Sequence, residues 1–324
     1  NLSRFGIKRP RLHAVSSLAI LKEKLAGTYR GTAFESAFHH FVFHDLAGLA
    51  LRAAAGDYER TQARLDRLIE ESEESAEKKA ERRATLEKSA ERARAILAHE
   101  SSEAIEKSAE QEQAELLYYV AERVFLRYED MFRLSFNAAT LGREHGKASL
   151  QKAMAELLAA LGFDLAQEMR ATAVRLERFL ARRGRELQET LAKSLAEGER
   201  DFSFGTEATD FEIGLSFAAA FAGVEPRDFS KELALFKSPA QFFEKGGSRI
   251  MAEALKEKLR PLAQAYLDEE GARLAERVLA GSRAVFAAAL AHVKKEAEGY
   301  YEGHRAALAG GLSAAKLREV RAGL

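Results

Sequence analysis

Cysteine is absent from the 324 residues. That removes disulfides, thiolate catalysis and cysteine-ligated zinc, and it fits a reducing compartment. Net charge is absent as well. Fifty basic and fifty acidic residues cancel, which argues against a general nucleic-acid binder, a class that carries a basic excess. No window holds 18 uninterrupted apolar residues, so no helix is expected to span a bilayer. The opening NLSRFGIKRPRLH has no apolar core of the kind a secretory signal needs. It starts at Asn1 rather than at methionine, which reads as a fragment or a processed product. Proline occurs only at 10, 226, 239 and 261, and 85 consecutive residues between Gly56 and Gly142 contain neither glycine nor proline.

What fills that stretch is Glu, Lys, Arg and Ala, all good helix formers. One unbroken helix there would be ~128 Å long. A globule of this chain length has a radius of gyration of only ~20 Å, so the chain forms either a long rod or a set of hairpins. With 47% hydrophobic and 31% charged residues a core is possible. The expected order is a short strand over Leu12–Ser16, a helix over Ser17–Ala26, and helix over Phe34–Ala55. Gly56 is expected as a kink or turn, followed by helix over Tyr58–Thr140. A turn at Leu141–Ala148 leads to helix over Ser149–Glu199. An irregular Asp201–Gly247 precedes helix over Arg249–Leu308 with a kink at Pro261, and a last short helix starts from Ser313. No strand alternation is expected after residue 16. A straight helix from 58 to 140 would overshoot the next one by ~48 Å. A hairpin or strong kink near His99–Ser102 is therefore expected, with Ser101 and Ser102 available as N-caps.

Few residues invite chemistry. GREHGKAS (Gly142–Ser149) has only three residues between its glycines and Ala148 where a magnesium-binding hydroxyl belongs, so it reads as a helix–helix turn. HHFVFH (His39–His44) puts His40 and His44 one turn apart, a spacing metal sites use. No Glu follows the first His and two phenylalanines crowd the segment, so packing is the preferred reading. No G-x-S-x-G occurs. No catalytic residue and no metal site is assigned.

The phenylalanines are the exception. Nine of the 20 fall between Asp201 and Ile250, in the segment richest in glycine and proline. Phe211–Gly223 (FEIGLSFAAAFAG) has 13 residues and one charge, too short to cross a ~30 Å hydrocarbon layer but able to enter one leaflet. Phe217 and Phe221 are read as sharing a helix face. The alternative is a small core capping a helical bundle. From Asp201 to Ile250 eight acids face five bases, so charge-led lipid targeting is not expected there.

Three segments carry a family resemblance: RPRLHAVSSLAILKEKLAG (Arg9–Gly27), LLAALGFDLAQEMRATAVRLERFL (Leu157–Leu180) and SPAQFFEKGGSRIMAEALKEKLRPLAQAYL (Ser238–Leu267). In that order they resemble the exit from the GTPase domain, the trunk and the returning trunk helix of bacterial dynamin-like proteins. The resemblance implies an all-α, elongated antiparallel helical bundle. A remnant of the GTPase domain would occupy 1–30, neck and trunk helices 31–200, a membrane-binding paddle 201–247, and returning helices 248–324. It implies a protein that tethers, remodels or fuses membranes, peripheral on the inner face of the cell membrane. Phospholipid and further copies of the protein are the expected partners, without nucleic acid. GTP and Mg2+ belong to the parent protein, with no cofactor in this chain, because the P-loop, switch threonine, D-x-x-G and T/N-K-x-D elements are missing. Only Val15, Ser16 and Ser17 match the head, as a nucleotide-proximal remnant. The lipid-binding candidates are Phe211, Ile213, Leu215, Phe217 and Phe221. Phe202, Phe204 and Phe229 are expected to seat the paddle, and Gly56, Gly142 and Gly146 are hinge candidates. An α-helical pore-forming toxin and a coiled-coil scaffold without a membrane role remain open alternatives. The scaffold predicts that the phenylalanines are buried.

Overall fold

The computed structural model describes residues 13–141, 146–197, 202–311 and 313–324. The described residues are all-α and form no strand. The helices are α1 (Ser17–Leu25), α2 (Ala33–His40), α3 (Leu46–Glu73), α4 (Ala76–His99), α5 (Glu103–Ser135) and α6 (Ala138–Leu141). They continue as α7 (Lys147–Ala196), α8 (Ser230–Leu233), α9 (Pro239–Glu244), α10 (Gly247–Leu308) and α11 (Ala314–Gly323). The chain divides into two compact units. One comprises Asn1–Arg82, Ser203–Gly205 and Gly303–Leu324, and the other Arg83–Phe202 and Thr206–Glu302.

In the first unit α3 pairs antiparallel with α11, since Asp66 meets Arg321 and Glu73 meets Arg318. Leu68, Ile69, Ala307 and Leu317 close a small core. Beside it the buried His304 Nδ1 lies 2.6 Å from Glu71 Oε2. Thr32 and Glu35 cap α2 reciprocally. The HHFVFH stretch then runs into a π-helical turn, Phe41–Asp45, before α3 begins.

Two expectations fail in this unit. His13–Ser16 is not a strand: no other strand exists among the described residues to pair with it, and Ser16 instead caps α1 by accepting from the Ala19 amide. Leu12 lies outside the described residues. Gly56 is neither kink nor turn but an interior residue of α3, where a single glycine costs only ~1 kcal/mol and its neighbours carry the helix. The interruptions fall instead at the π-turn and between Glu73 and Ala76.

The second unit is built on long passes. α7 repeats apolar residues at three- and four-residue steps, from Met154 and Leu157 through Leu161, Leu165, Met169, Leu176 and Leu180, and all are buried. It packs on α5 with opposite polarity. Arg123 meets Glu168 at 2.8 Å, and Arg127 meets Asp164 at 2.8 Å and Glu168 at 3.0 Å. α5 is also antiparallel to α10. Arg283 pairs with Glu106 at 3.0 Å, the buried Gln113 donates to the Gly271 carbonyl at 3.0 Å, and Tyr128 donates to the Ala252 carbonyl at 2.7 Å. α10 runs through Pro261 as one helix.

The expected break near residue 100 exists, between His99 and Glu103, but it does not reverse the chain. Tyr301 reaches the Ser89 carbonyl on one side of the break, and Arg283 reaches Glu106 on the other. α4 therefore continues along α10 in the direction of α5. Residues 83–135 then span ~80 Å against ~75 Å for α7, so the lengths balance without a hairpin.

Two helices that are each antiparallel to α5 are parallel to each other. The connection from α7 to α10 cannot be a turn at one end. It has to travel back along the unit.

Candidate functional site

Residues 206–223 make that return as an extended strap lying along α7 and α10. Four contacts with α7 fix its course: Gln188 meets Glu207, Glu177 meets Ile213, Arg170 meets Phe217, and Gly162 meets Ala220. The matching contacts with α10 are His292 with Glu207, Arg277 with Ile213, and Tyr266 with Ala218. The strap is antiparallel to both helices. About 13 residues of extended chain reach ~43–47 Å, and the ~26 residues of α7 that they pass occupy ~39 Å. The segment is therefore close to full extension.

Its side chains alternate as an extended chain must. Thr209, Ile213 and Phe217 are buried, Phe211 and Leu215 are half-buried, and Ala208, Asp210, Glu212, Gly214 and Ser216 are exposed. Sequence reading missed this pattern because TDFEIGLSF was parsed for helical spacing. In the alternating frame Phe217 and Phe221 do not form a helical pair. Phe221 is half-buried in the left-handed region at φ 67°, where the chain turns away from the strap.

Helix side chains hold the strap's backbone in place of a partner strand. The Gln188 amide donates to the Glu207 carbonyl at 3.0 Å and accepts its N–H at 2.8 Å, as a second peptide group would. Glu177 accepts from the Ile213 amide at 2.8 Å, and Arg277 donates to the Ile213 carbonyl at 2.7 Å. Arg170 donates to the Phe217 carbonyl at 2.9 Å and Tyr266 to the Ala218 carbonyl at 2.8 Å. Burial first, and the Glu270 carboxylate second, push the Tyr266 phenol up to about 12.

Helix glycines make room beneath. A Cβ on Gly162 would stand 2.2 Å from the Ala220 oxygen, one on Gly184 2.0 Å from Thr209 Oγ1, and one on Gly281 2.6 Å from the Phe211 ring. These interior glycines lower helix propensity, and their place under the strap accounts for them.

The same unit ends, away from Arg83 and Glu302, in a second feature. Here α5 finishes, α7 starts at Gly146, and the chain passes through a 3-10 turn (Pro226–Phe229), α8 and α9 into α10. Phe229, Leu233 and Phe242 are buried under it. Leu134, Leu235, Phe243 and Ile250 are exposed, at 75%, 38%, 41% and 60%. Lys147, Lys237, Lys245 and Arg249 are exposed at the same end. Residues 234–250 carry these last three bases against one acid, Glu244. The acidic balance of 201–250 therefore belongs to the strap and the turn after it, and residues 234–250 are basic, with the exposed acids Glu129, Asp130 and Glu253 at the same end.

Of the paddle-seating candidates, Phe202 is buried edge-on to Tyr300 and Phe229 lies under the Lys258 ammonium, while Phe204 is half-buried. Val15 is exposed. Gly146 is the N-cap residue of α7, and Gly142 lies outside the described residues. His40 and His44 stack at 4.8 Å, and no group of three metal-ligating side chains occurs among the described residues. No described helix is long and apolar enough to cross a membrane.

Dynamin-like protein A of Bacillus subtilis (strain 168) is 27% identical to this chain over 275 residues. The chain is similar to a bacterial dynamin-like protein. The match covers 82% of this chain but only 22% of the dynamin-like relative's length. No family model matches the chain, and no solved structure matches it. The all-α fold with its long antiparallel passes agrees with the dynamin-like resemblance.

Proposed function

We propose that this chain is the membrane-engaging helical part of a dynamin-like GTPase that tethers, remodels or fuses membranes, peripheral on the inner face of the cell membrane and assembling with copies of itself. GTP and Mg2+ belong to the head of the whole protein. None of the family's nucleotide motifs stands in this chain, so no step of that chemistry rests on its residues. The observation that carries the reading is the end of the second unit, where four exposed apolar side chains sit beside the exposed bases Lys147, Lys237, Lys245 and Arg249, with Glu129, Asp130, Glu244 and Glu253 also exposed there.

Each such side chain moved into hydrocarbon contributes roughly 1.5–3 kcal/mol, and each base near an anionic surface about 1 kcal/mol. First contact with lipid is therefore placed on Leu134, Leu235, Phe243 and Ile250. Phe211, Ile213, Leu215, Phe217 and Phe221 contribute only when they leave the core.

Vesicle flotation tests this. The chain floats with phosphatidylcholine–phosphatidylserine vesicles, less so with phosphatidylcholine alone, and Phe243→Asp with Ile250→Asp loses at least tenfold while its circular dichroism is unchanged. Absence of flotation by the wild type sinks the reading. The scaffold reading gains from one observation, the burial of Ile213, Phe217 and Phe229, and it predicts that absence.

A further inference from the structure

The strap is built differently from everything around it. Each long helix satisfies its own backbone, whereas the strap has no sheet and, apart from the bond from the Ala220 amide to the Gly162 carbonyl, relies on single side chains: Gln188, Glu177, Arg277, Arg170 and Tyr266. The Tyr266 contact is exposed and the other four are part-buried, and water can replace a single side-chain hydrogen bond without disturbing its neighbours. An element with few cooperative bonds opens at the low end of the stability range.

The fit is also imperfect at one point. Thr209 Oγ1 is buried over Gly184 with no hydrogen-bond partner among the described residues, which costs free energy in the seated state only. Beneath the strap, Gly162, Gly184 and Gly281 leave narrow helix faces. The strap itself is an amphipathic extended chain, with Phe211, Ile213, Leu215 and Phe217 on one side and Asp210, Glu212 and Ser216 on the other.

We propose that residues 206–223 are a releasable latch: on a lipid surface the strap leaves the α7–α10 groove and turns its alternating apolar side to the bilayer. Seated, the latch hides Ile213 and Phe217 and keeps the connection taut. Released, it frees the length of chain between α7 and α10, so that the two parallel helices are no longer tied along their faces. This rests on the membrane reading above, and it assigns the five buried or half-buried strap residues a second, later role than the exposed end.

The absence of cysteine makes the test direct. A Cβ on Gly184 stands 3.1 Å from the Thr209 Cβ, near the ~3.5–4.5 Å of a disulfide. In Gly184→Cys with Thr209→Cys, oxidation pins the strap and reduction frees it. Flotation with phosphatidylcholine–phosphatidylserine vesicles is expected to fall at least fivefold on oxidation and to return with reductant. Hydrogen exchange in 206–223 of the wild type is expected to accelerate at least tenfold when vesicles are added.

Equal flotation of the oxidised and reduced forms, with the disulfide confirmed by mass, overturns the latch and leaves the membrane reading standing. A wild type that does not float overturns both. If the double variant does not fold, Gly184→Ala takes its place. Its methyl collides with Thr209, so the strap should become protease-sensitive and flotation should rise several-fold, and unchanged flotation with a cleavable strap refutes the latch.

Discussion

Replacing Gly162 with alanine gives the sharpest measure of how firmly the strap is seated. In an unobstructed helix the change stabilises by about 1 kcal/mol. Here the new methyl carbon would meet the Ala220 oxygen at 2.2 Å and the Ala220 carbon at 3.1 Å. Both are backbone atoms and cannot rotate aside. The gap must open to about 3.4 Å to reach ordinary contact, and the bond from the Ala220 amide to the Gly162 carbonyl, now 3.1 Å, is lost with it. Overpacking costs roughly 1–3 kcal/mol and the hydrogen bond about 1 kcal/mol. After the propensity gain the net loss is about 1–3 kcal/mol. Gly271→Ala is the control in the same unit, because its methyl meets only Leu117 Cδ1, at 3.1 Å, the free end of a side chain. It should be neutral or mildly stabilising. Urea unfolding followed by far-ultraviolet circular dichroism reads both as shifts in midpoint at constant slope. If Gly162→Ala proves as stable as Gly271→Ala, the strap does not rest on Gly162 and its placement along α7 is wrong.

Phe217→Asp buries a carboxylate among Ile213 and the α7 side chains. It should cost at least the ~3–5 kcal/mol of a lost core phenylalanine, seen as a lower urea midpoint, whereas Phe243→Asp at the exposed end should shift it little. Tyr266→Phe should flatten stability at alkaline pH. The folded phenol titrates about 12 against ~10 when unfolded, so wild-type stability is whole below pH ~10 and falls as pH rises toward the folded value, and the variant lacks that component. Flotation on anionic vesicles should weaken with added salt, because Lys147, Lys237, Lys245 and Arg249 release counterions there, and salt-independent binding would assign the contact to apolar insertion alone.

Much of the architecture was written in local preference. Eighty-five residues without glycine or proline favour helix, and length matching pointed to a hairpin or strong kink near residue 100, where the chain is interrupted without reversing. The family resemblance rested on extended similarity and was supported by the match to a dynamin-like protein. The site was less legible. TDFEIGLSF alternates with period two, the mark of an extended chain, yet a strand without a partner strand is a poor expectation, and the spacing of Phe217 and Phe221 also fits one helix face. Gly162 and Gly184 look like blemishes in a helix until the backbone they admit is seen. The net charge of 201–250 hid an acidic strap and a basic stretch over 234–250.

Sequence alone determined that this chain is helical, free of thiol chemistry, similar to a dynamin-like protein and rich in phenylalanine where its helices stop. It did so because propensity, periodicity and composition act over a few turns. Tertiary structure decided which way each helix runs. Since α7 and α10 are both antiparallel to α5, they are parallel to each other, and the phenylalanine segment is stretched between their ends instead of looping at one. That single fact buries Ile213 and Phe217, demands the glycines beneath them and leaves Leu134, Leu235, Phe243 and Ile250 as the exposed apolar end. No window of sequence records helix polarity, because it is set by contacts between residues 37 to 45 positions apart in α5 and α7 and 124 to 177 apart in α5 and α10.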